Sequence, residues 1–288
     1  MGRFWITAIL FAITSGAGAQ ESAPSPTESV VRVLGSGEAG RQYFGSGVVV
    51  ASGKVATNCH VTRKAVRIRV LGGGSALLAT AQHAAADRDL CILTVPGLRA
   101  PAARIGATRR LQTGDSVLAI GFPGGRFSGS RGEVAGLFEL YGGYAVQSTA
   151  RFTHGASGGG LFDDTGALVG LLTFFRTAEG HAPAYFAIPV EWLEFVLALE
   201  SRDIAPHSDG IPFWALSIER QPVFLRAAAL EIAGKWDAML EVAHAWTREE
   251  PFSANAWQAL AKASALDGDF STADLAFQRS RAFATSTP

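Results

Sequence analysis

Between Val30 and about Pro189 the apolar residues fall in short runs separated by glycine, and where they alternate the period is two. Val66-Arg67-Ile68-Arg69-Val70 turns every second side chain to one side, as a strand with one buried face requires. Gly142-Gly143, between 138–141 and 144–147, is a two-residue hairpin signature, and Asp163-Asp164-Thr165-Gly166 reads as a turn into another strand over 167–175. Many short strands with turns between them fit a barrel or sandwich better than an α/β fold. Residues 191–199 break the pattern with helix formers and predict a helix that ends this unit. Residues 201–221 contain Pro206, Gly210 and Pro212, and read as a linker. Within it, Phe213-Trp214 is apolar enough to pack against something.

After Pro222 glycine becomes rare, alanine becomes common and the period turns helical. Gly234-Lys235-Trp236 recurs as Gly268-Asp269-Phe270, 34 residues on (268 − 234 = 34). At that register Trp257, Leu260, Ala261, Ala273 and Phe277 occupy the large and small packing positions of a tetratricopeptide repeat, and Pro251 falls where its second helix ends. The first copy is poorer, with Arg226 and Met239 where leucine and alanine are usual. Residues 222–284 are therefore expected to form two tetratricopeptide-like hairpins, the alternative being a plain four-helix bundle. Two such repeats bury little on their own, so they should pack on the rest of the chain or on another subunit.

The 288 residues suffice for one large domain and one small one. The 25 basic and 25 acidic side chains cancel, which argues against a nucleic-acid partner. Met1-Gly2-Arg3, the apolar run that follows and the small residues Ala17-Gly18-Ala19 predict an export signal over 1–19, cleaved after Ala19, with a mature tail over 20–29. A membrane anchor would need about twenty apolar residues, and the run fails at Thr14-Ser15-Gly16. No later segment is long and apolar enough to span a bilayer, so the expected location is the periplasm or the medium. In an oxidising compartment Cys59 and Cys91, the two cysteines, are expected to pair, two free thiols being the alternative.

Candidate chemistry lies in three segments: Thr57-Asn58-Cys59-His60, Asp89-Leu90 and Gly155-Ala156-Ser157-Gly158-Gly159. A serine becomes a good nucleophile when an imidazole takes its proton, and a carboxylate must orient that imidazole. Glycines around Ser157 permit a tight turn that presents the hydroxyl and aims backbone N–H groups at one point. Asp89 is preferred to Asp87 as the carboxylate because it directly precedes the apolar run 90–93. Read alone, Ser157 fits an ordinary glycine-flanked turn. The G-x-S-x-G pattern also matches an esterase elbow, but Gly158-Gly159-Gly160 is a poor helix start and the order Ser, Asp, His is not met by comparable residues.

Gly45-Ser46-Gly47-Val48-Val49-Val50, the segment 54–61, Asp87-Arg88-Asp89-Leu90-Cys91-Ile92-Leu93, the segments 117–124 and 130–134, the run 147–159 and Phe186-Ala187-Ile188-Pro189 together resemble HtrA/Deg-type trypsin-like serine proteases over about 30–200. The resemblance implies a mainly β chymotrypsin-like fold of two six-stranded barrels, here followed by a small all-α helical-repeat region. It implies His60 as base, Asp89 as orienting carboxylate and Ser157 as nucleophile, with the N–H groups of Gly155 and Ser157 as oxyanion donors. It also places Arg151, Phe152 and His154 about the substrate pocket. An inward Arg151 would favour an acidic substrate residue, an inward Phe152 a small aliphatic one. Two departures stand out: Ala156 where asparagine or aspartate is usual, and Thr149 where aspartate is common. The helical region replaces the usual PDZ domains. The expected function is that of an exported serine endopeptidase acting on polypeptides through an acyl-enzyme, with no metal or organic cofactor. The helical region would dock a partner or substrate or mediate self-association. The alternative is a catalytically idle scaffold.

Overall fold

The computed structural model describes residues 25–177, 183–206 and 210–284; the expected signal over 1–19 and residues 20–24 of the tail lie outside them. The first half supplies β1 (Val30–Ser36), β2 (Gln42–Ala51), β3 (Lys54–Thr57), β4 (Arg67–Gly72), β5 (Ser75–Leu78), β6 (Ala81–Ala85) and β7 (Leu90–Thr94). The second supplies β8 (Ser116–Gly121), β9 (Ser128–Leu140), β10 (Gly143–Ser148), β11 (Gly160–Asp163), β12 (Leu168–Arg176) and β13 (Ala184–Pro189). A short β14 (Arg202–Asp203) follows. One-turn α1 (Cys59–Thr62) comes after β3, and α2 (Trp192–Leu197) closes the β region.

Strands β8–β13 form a closed barrel in the order β10-β13-β12-β11-β8-β9. Its interior holds Val117, Val134, Val146, Leu161, Val169 and Leu172. The first sheet departs from a six-stranded barrel. Its order is β14-β6-β7-β3-β2-β1-β4-β5, eight strands that stay open between β5 and β14. There β14 returns after α2 and pairs with the outer edge of β6, Arg202 opposite Gln82. The expected alternation holds within β4, where Ile68 and Val70 are buried and Arg67 and Arg69 face outward, but not at Val66, which lies before the strand and is exposed. The β9–β10 hairpin turns one residue earlier than the Gly142-Gly143 signature. Tyr141 (φ 48°) and Gly142 (φ 82°) are its two left-handed residues, as a type I′ turn demands. Gly143 begins β10 opposite Leu140. A Cβ on Gly143 would approach Pro189 Cβ to 2.7 Å, so this glycine serves close packing rather than the turn.

The helical region consists of α3 (Val223–Ile232), α4 (Trp236–Glu249), α5 (Ala254–Asp267) and α6 (Phe270–Ala284). Gly234 (φ 64°) and Gly268 (φ 87°) both take left-handed backbone at the ends of α3 and α5, which is why the recurrence falls on glycine. Ser253 caps α5, its Oγ accepting from the Ala256 N–H at 3.3 Å. Leu260, Ala261 and Ala276 are buried between these helices, while Phe277 is exposed. The helices do not stand apart from the barrel. Phe224 of α3 stacks on Phe138 of β9 with centroids 4.6 Å apart, and Leu225 is fully buried. Phe186, Ile188, Trp192, Phe213, Phe224, Trp246 and Ala256 share one apolar cluster, so barrel, intervening segment and helices have a continuous core.

The shared core predicts that Phe224→Ala destabilises the β region as well as the helices, by about 3–5 kcal/mol in urea unfolding. A single cooperative transition should shift. A barrel transition left in place would show that the helices fold apart from it. A disulfide joins Cys59 of α1 to Cys91 of β7 across 32 residues, and closing a loop of that length contributes roughly 3–4 kcal/mol in the chain-entropy model. Replacing both cysteines by alanine should lower unfolding free energy by that order, and peptide mapping without reductant should show the linked pair and no free thiol.

Candidate active site

Asp89 ends the tight turn after β6. Its backbone is left-handed (φ 56°), a conformation that aspartate enters more readily than most residues. That twist turns the carboxylate toward α1 and away from water; Asp89 is 0% exposed. The His60 N–H donates to Asp89 Oδ1 at 2.8 Å, and His60 Nδ1 lies 2.6 Å from Oδ2. The backbone carbonyl of Asp89 accepts from the Cys59 N–H at 3.2 Å and from Asn58 Nδ2 at 3.0 Å. With the adjacent disulfide, α1 and the Asp89 turn form one rigid unit. The His60 side chain is about a quarter exposed (25%), so its ring edge opens to the cleft.

The Ser157 turn is built by close approach. A Cβ on Gly158 (φ 84°) would meet Ser46 O at 2.3 Å and Thr57 Oγ1 at 2.4 Å, so only glycine lets this turn lie against the segment that leads into His60. Ser46 stitches the two halves together. Its N–H donates to Ser157 O at 2.8 Å, its Oγ donates to Gly155 O at 2.8 Å, and the Phe122 N–H donates to the same Oγ at 2.8 Å. The carbonyl of His154 accepts from the Gly124 N–H at 3.1 Å. Among the described residues the N–H groups of Gly155 and Ser157 have no protein acceptor, which leaves both for a ligand oxygen. Ser157 Oγ donates to Thr173 O at 3.4 Å, and no hydrogen bond joins it to His60 in this resting geometry.

A cavity of about 420 Å³ runs behind the Ser157 turn, lined by Arg151, Phe152, Thr153, Ala156, Leu172 and Tyr185 among others. Phe152 is buried, 5.3 Å from the Tyr185 ring and 6.1 Å from Phe175. Arg151 is exposed at the rim, with its N–H on Ser130 Oγ at 3.0 Å. His154 is exposed and lies against Phe175 outside the cavity. Among the described residues no group of three or more His, Cys, Asp or Glu side chains could hold a metal ion.

Two contributors escape a reading of motifs. Ser46 sits inside the Gly45-Ser46-Gly47 segment, but nothing in the local sequence points to its bonds with residues 109 and 76 positions away. Trp214 lies in the segment read as a linker, and its Nε1–H donates to Asp89 Oδ2 at 3.0 Å. Its apolar character was the one available signal.

Residues 45–171 match the trypsin-like peptidase domain family. Among curated relatives, "Probable periplasmic serine endoprotease DegP-like" of Ectopseudomonas mendocina is 35% identical over 161 residues, covering 52% of this chain and 33% of that protein. The corresponding protein of Halomonas elongata is 28% identical over 192 residues, covering 64% and 39%. The chain thus spans about a third of the length of the first of these relatives. Among solved structures, the HtrA-type protease AlgW with tripeptide superposes with a TM-score of 0.53 at 27% identity, covering 59% of each chain. The active form of the Rv3671c protease from M. tuberculosis gives 0.54 at 25% identity, covering 64% of this chain and 85% of that one. The chain carries a trypsin-like peptidase domain of chymotrypsin-like fold, and its relatives are serine endoproteases of the DegP/HtrA type.

Proposed function

We propose that the protein is an exported serine endopeptidase in which Ser157, His60 and Asp89 act as nucleophile, base and orienting carboxylate. The observation that carries this reading is the buried Asp89–His60 pair beside a glycine-built turn whose two free N–H groups flank Ser157. Rotation of the Ser157 side chain away from Thr173 O brings its hydroxyl to the imidazole; such contacts are commonly loose until substrate is bound. Ser157 Oγ then attacks the peptide carbonyl carbon while His60 Nε2 takes its proton. The resulting oxyanion accepts from the Gly155 and Ser157 N–H groups, which stabilise the charge where it develops. His60 returns the proton to the leaving amine as the C–N bond breaks, leaving an ester on Ser157. Water repeats the sequence: His60 takes its proton, the ester bond breaks and the serine is protonated. Asp89 fixes the tautomer throughout and does not exchange the proton.

Periplasmic action is supported by the relatives' descriptions. No described helix is long and apolar enough to cross a membrane. The domain division is proposed as peptidase over 30–200, connecting segment over 201–221 and tetratricopeptide-like hairpins over 222–284. The exposed Phe252, Phe270 and Phe277 support a docking role for the hairpins.

In peptide hydrolysis Ser157→Ala and His60→Ala should each lose roughly 10⁶-fold in kcat, and the double variant little more, because the residues act as a unit. Additive losses would refute the assignment. The buried Phe152 shortens the pocket, so a cleavage library should favour small aliphatic residues before the scissile bond, and Phe152→Ala should admit larger ones. A preference for acidic residues would instead make Arg151 the determinant.

A further inference from the structure

Residues 213–221 lie beyond the stretch matched by the peptidase family, yet they touch the centre of the candidate site. Trp214 Nε1–H and His60 Nδ1 meet the same oxygen of Asp89, at 3.0 and 2.6 Å. The indole stands edge-on to the His60 ring at 5.6 Å and stacks on Phe174 at 5.2 Å. The Thr173 hydroxyl, beside Phe174, is committed elsewhere: it donates to Leu171 O and accepts from Asn58 Nδ2.

The tryptophan is held there from both sides. The Phe213 N–H donates to Asp87 O at 2.9 Å, and the Phe213 ring is buried against Trp192 and Phe174. Gln221 Nε2 donates to Trp214 O at 3.1 Å and to Leu216 O at 2.7 Å, while its Oε1 accepts from Arg176 Nη2 of β12 at 2.6 Å. The next residue, Pro222, is the cap of α3. The strap over 213–221 is thus bonded to β12 on one side and continues directly into the helical region.

We infer that Trp214 is a positioning residue for the His60–Asp89 pair, and that the C-terminal segment thereby completes the active site. A carboxylate removed from water has lone pairs that must find donors, and each donor fixes its rotation. With His60 occupying both oxygens through its N–H and its ring, the indole supplies a third donor, on Oδ2. A displacement of α3 would pull on Pro222 and Gln221 and withdraw one of the three donors that fix the carboxylate, so docking on the helical region has a physical route to the catalytic pair. The inference rests on the peptidase reading above.

The test uses the full chain. Trp214→Phe keeps a ring on Phe174 and removes the donor; a 3-benzothienyl side chain at the same position, an isostere with sulfur in place of N–H, removes the donor alone. Both should lower kcat about 10-fold, as loss of a supporting partner commonly does, with KM unchanged. In the wild type, the indole proton that disappears in Trp214→Phe should exchange slowly with solvent, and Asp89→Asn should move its resonance. A wild-type kcat in the isostere, or a raised KM with unchanged kcat, would overturn the inference while leaving the peptidase reading intact. Should Trp214→Phe fail to fold, the isostere decides. A wild-type protein with no turnover would remove the peptidase reading and this inference with it.

Discussion

A carboxylate without solvent is the constraint around which this protein is arranged. Asp89 is wholly buried, and an unpaired charge in such a place costs several kcal/mol. Three N–H groups answer it: the backbone and ring of His60, and the indole of Trp214. They come from α1 and from the segment before α3, while the turn bearing Asp89 comes from the end of β6. Satisfying one side chain therefore fixes three remote parts of the chain relative to one another. The Asp89 carbonyl adds two more bonds, from Cys59 and Asn58, and the disulfide makes the same junction covalent. The orientation of the His60 imidazole follows from this packing.

The Ser157 turn obeys a steric rule instead. Gly158 lies where any side chain would collide with Ser46 and Thr57, so its backbone can press against the segment leading into His60. Ser46 converts that proximity into register by bonding to Ser157 O, Gly155 O and the Phe122 N–H. Gly155 O accepts from Ser46 Oγ and His154 O from the Gly124 N–H. This explains how the loop is held with alanine at position 156: its polar anchors are Ser46 of β2, the Gly124 N–H and the Ala156 backbone itself, not a side chain before the serine.

Much of this was legible in the sequence, because periodicity and turn chemistry are local. The alternation at 67–70, the glycine recurrence at 234 and 268 and the three segments around His60, Asp89 and Ser157 all carry their signal within a few residues. The cysteine pair could be anticipated because its positions flank the two residues expected to touch. The eighth strand of the first sheet could not, since it depends on where β14 lands after α2. The one-residue displacement of the β9–β10 turn follows from Gly143 packing on Pro189, a tertiary demand that overrides the Gly-Gly signature. Trp214 acts across 125 residues. Composition marked it as apolar and gave no hint that its N–H would be used. Phe224 likewise reads as an ordinary helix position until Phe138 and Phe186 are seen beneath it.

The central claim is that the Asp89–His60 pair and the Ser157 turn form one acyl-transfer centre. Its most direct test is the crystal structure of the protein after reaction with a fluorophosphonate. The account predicts a single adduct on Ser157 Oγ, with the phosphoryl oxygen accepting from the N–H groups of Gly155 and Ser157 and His60 Nδ1 still on Asp89. An adduct on another residue, or a phosphoryl oxygen turned away from both N–H groups, would contradict it.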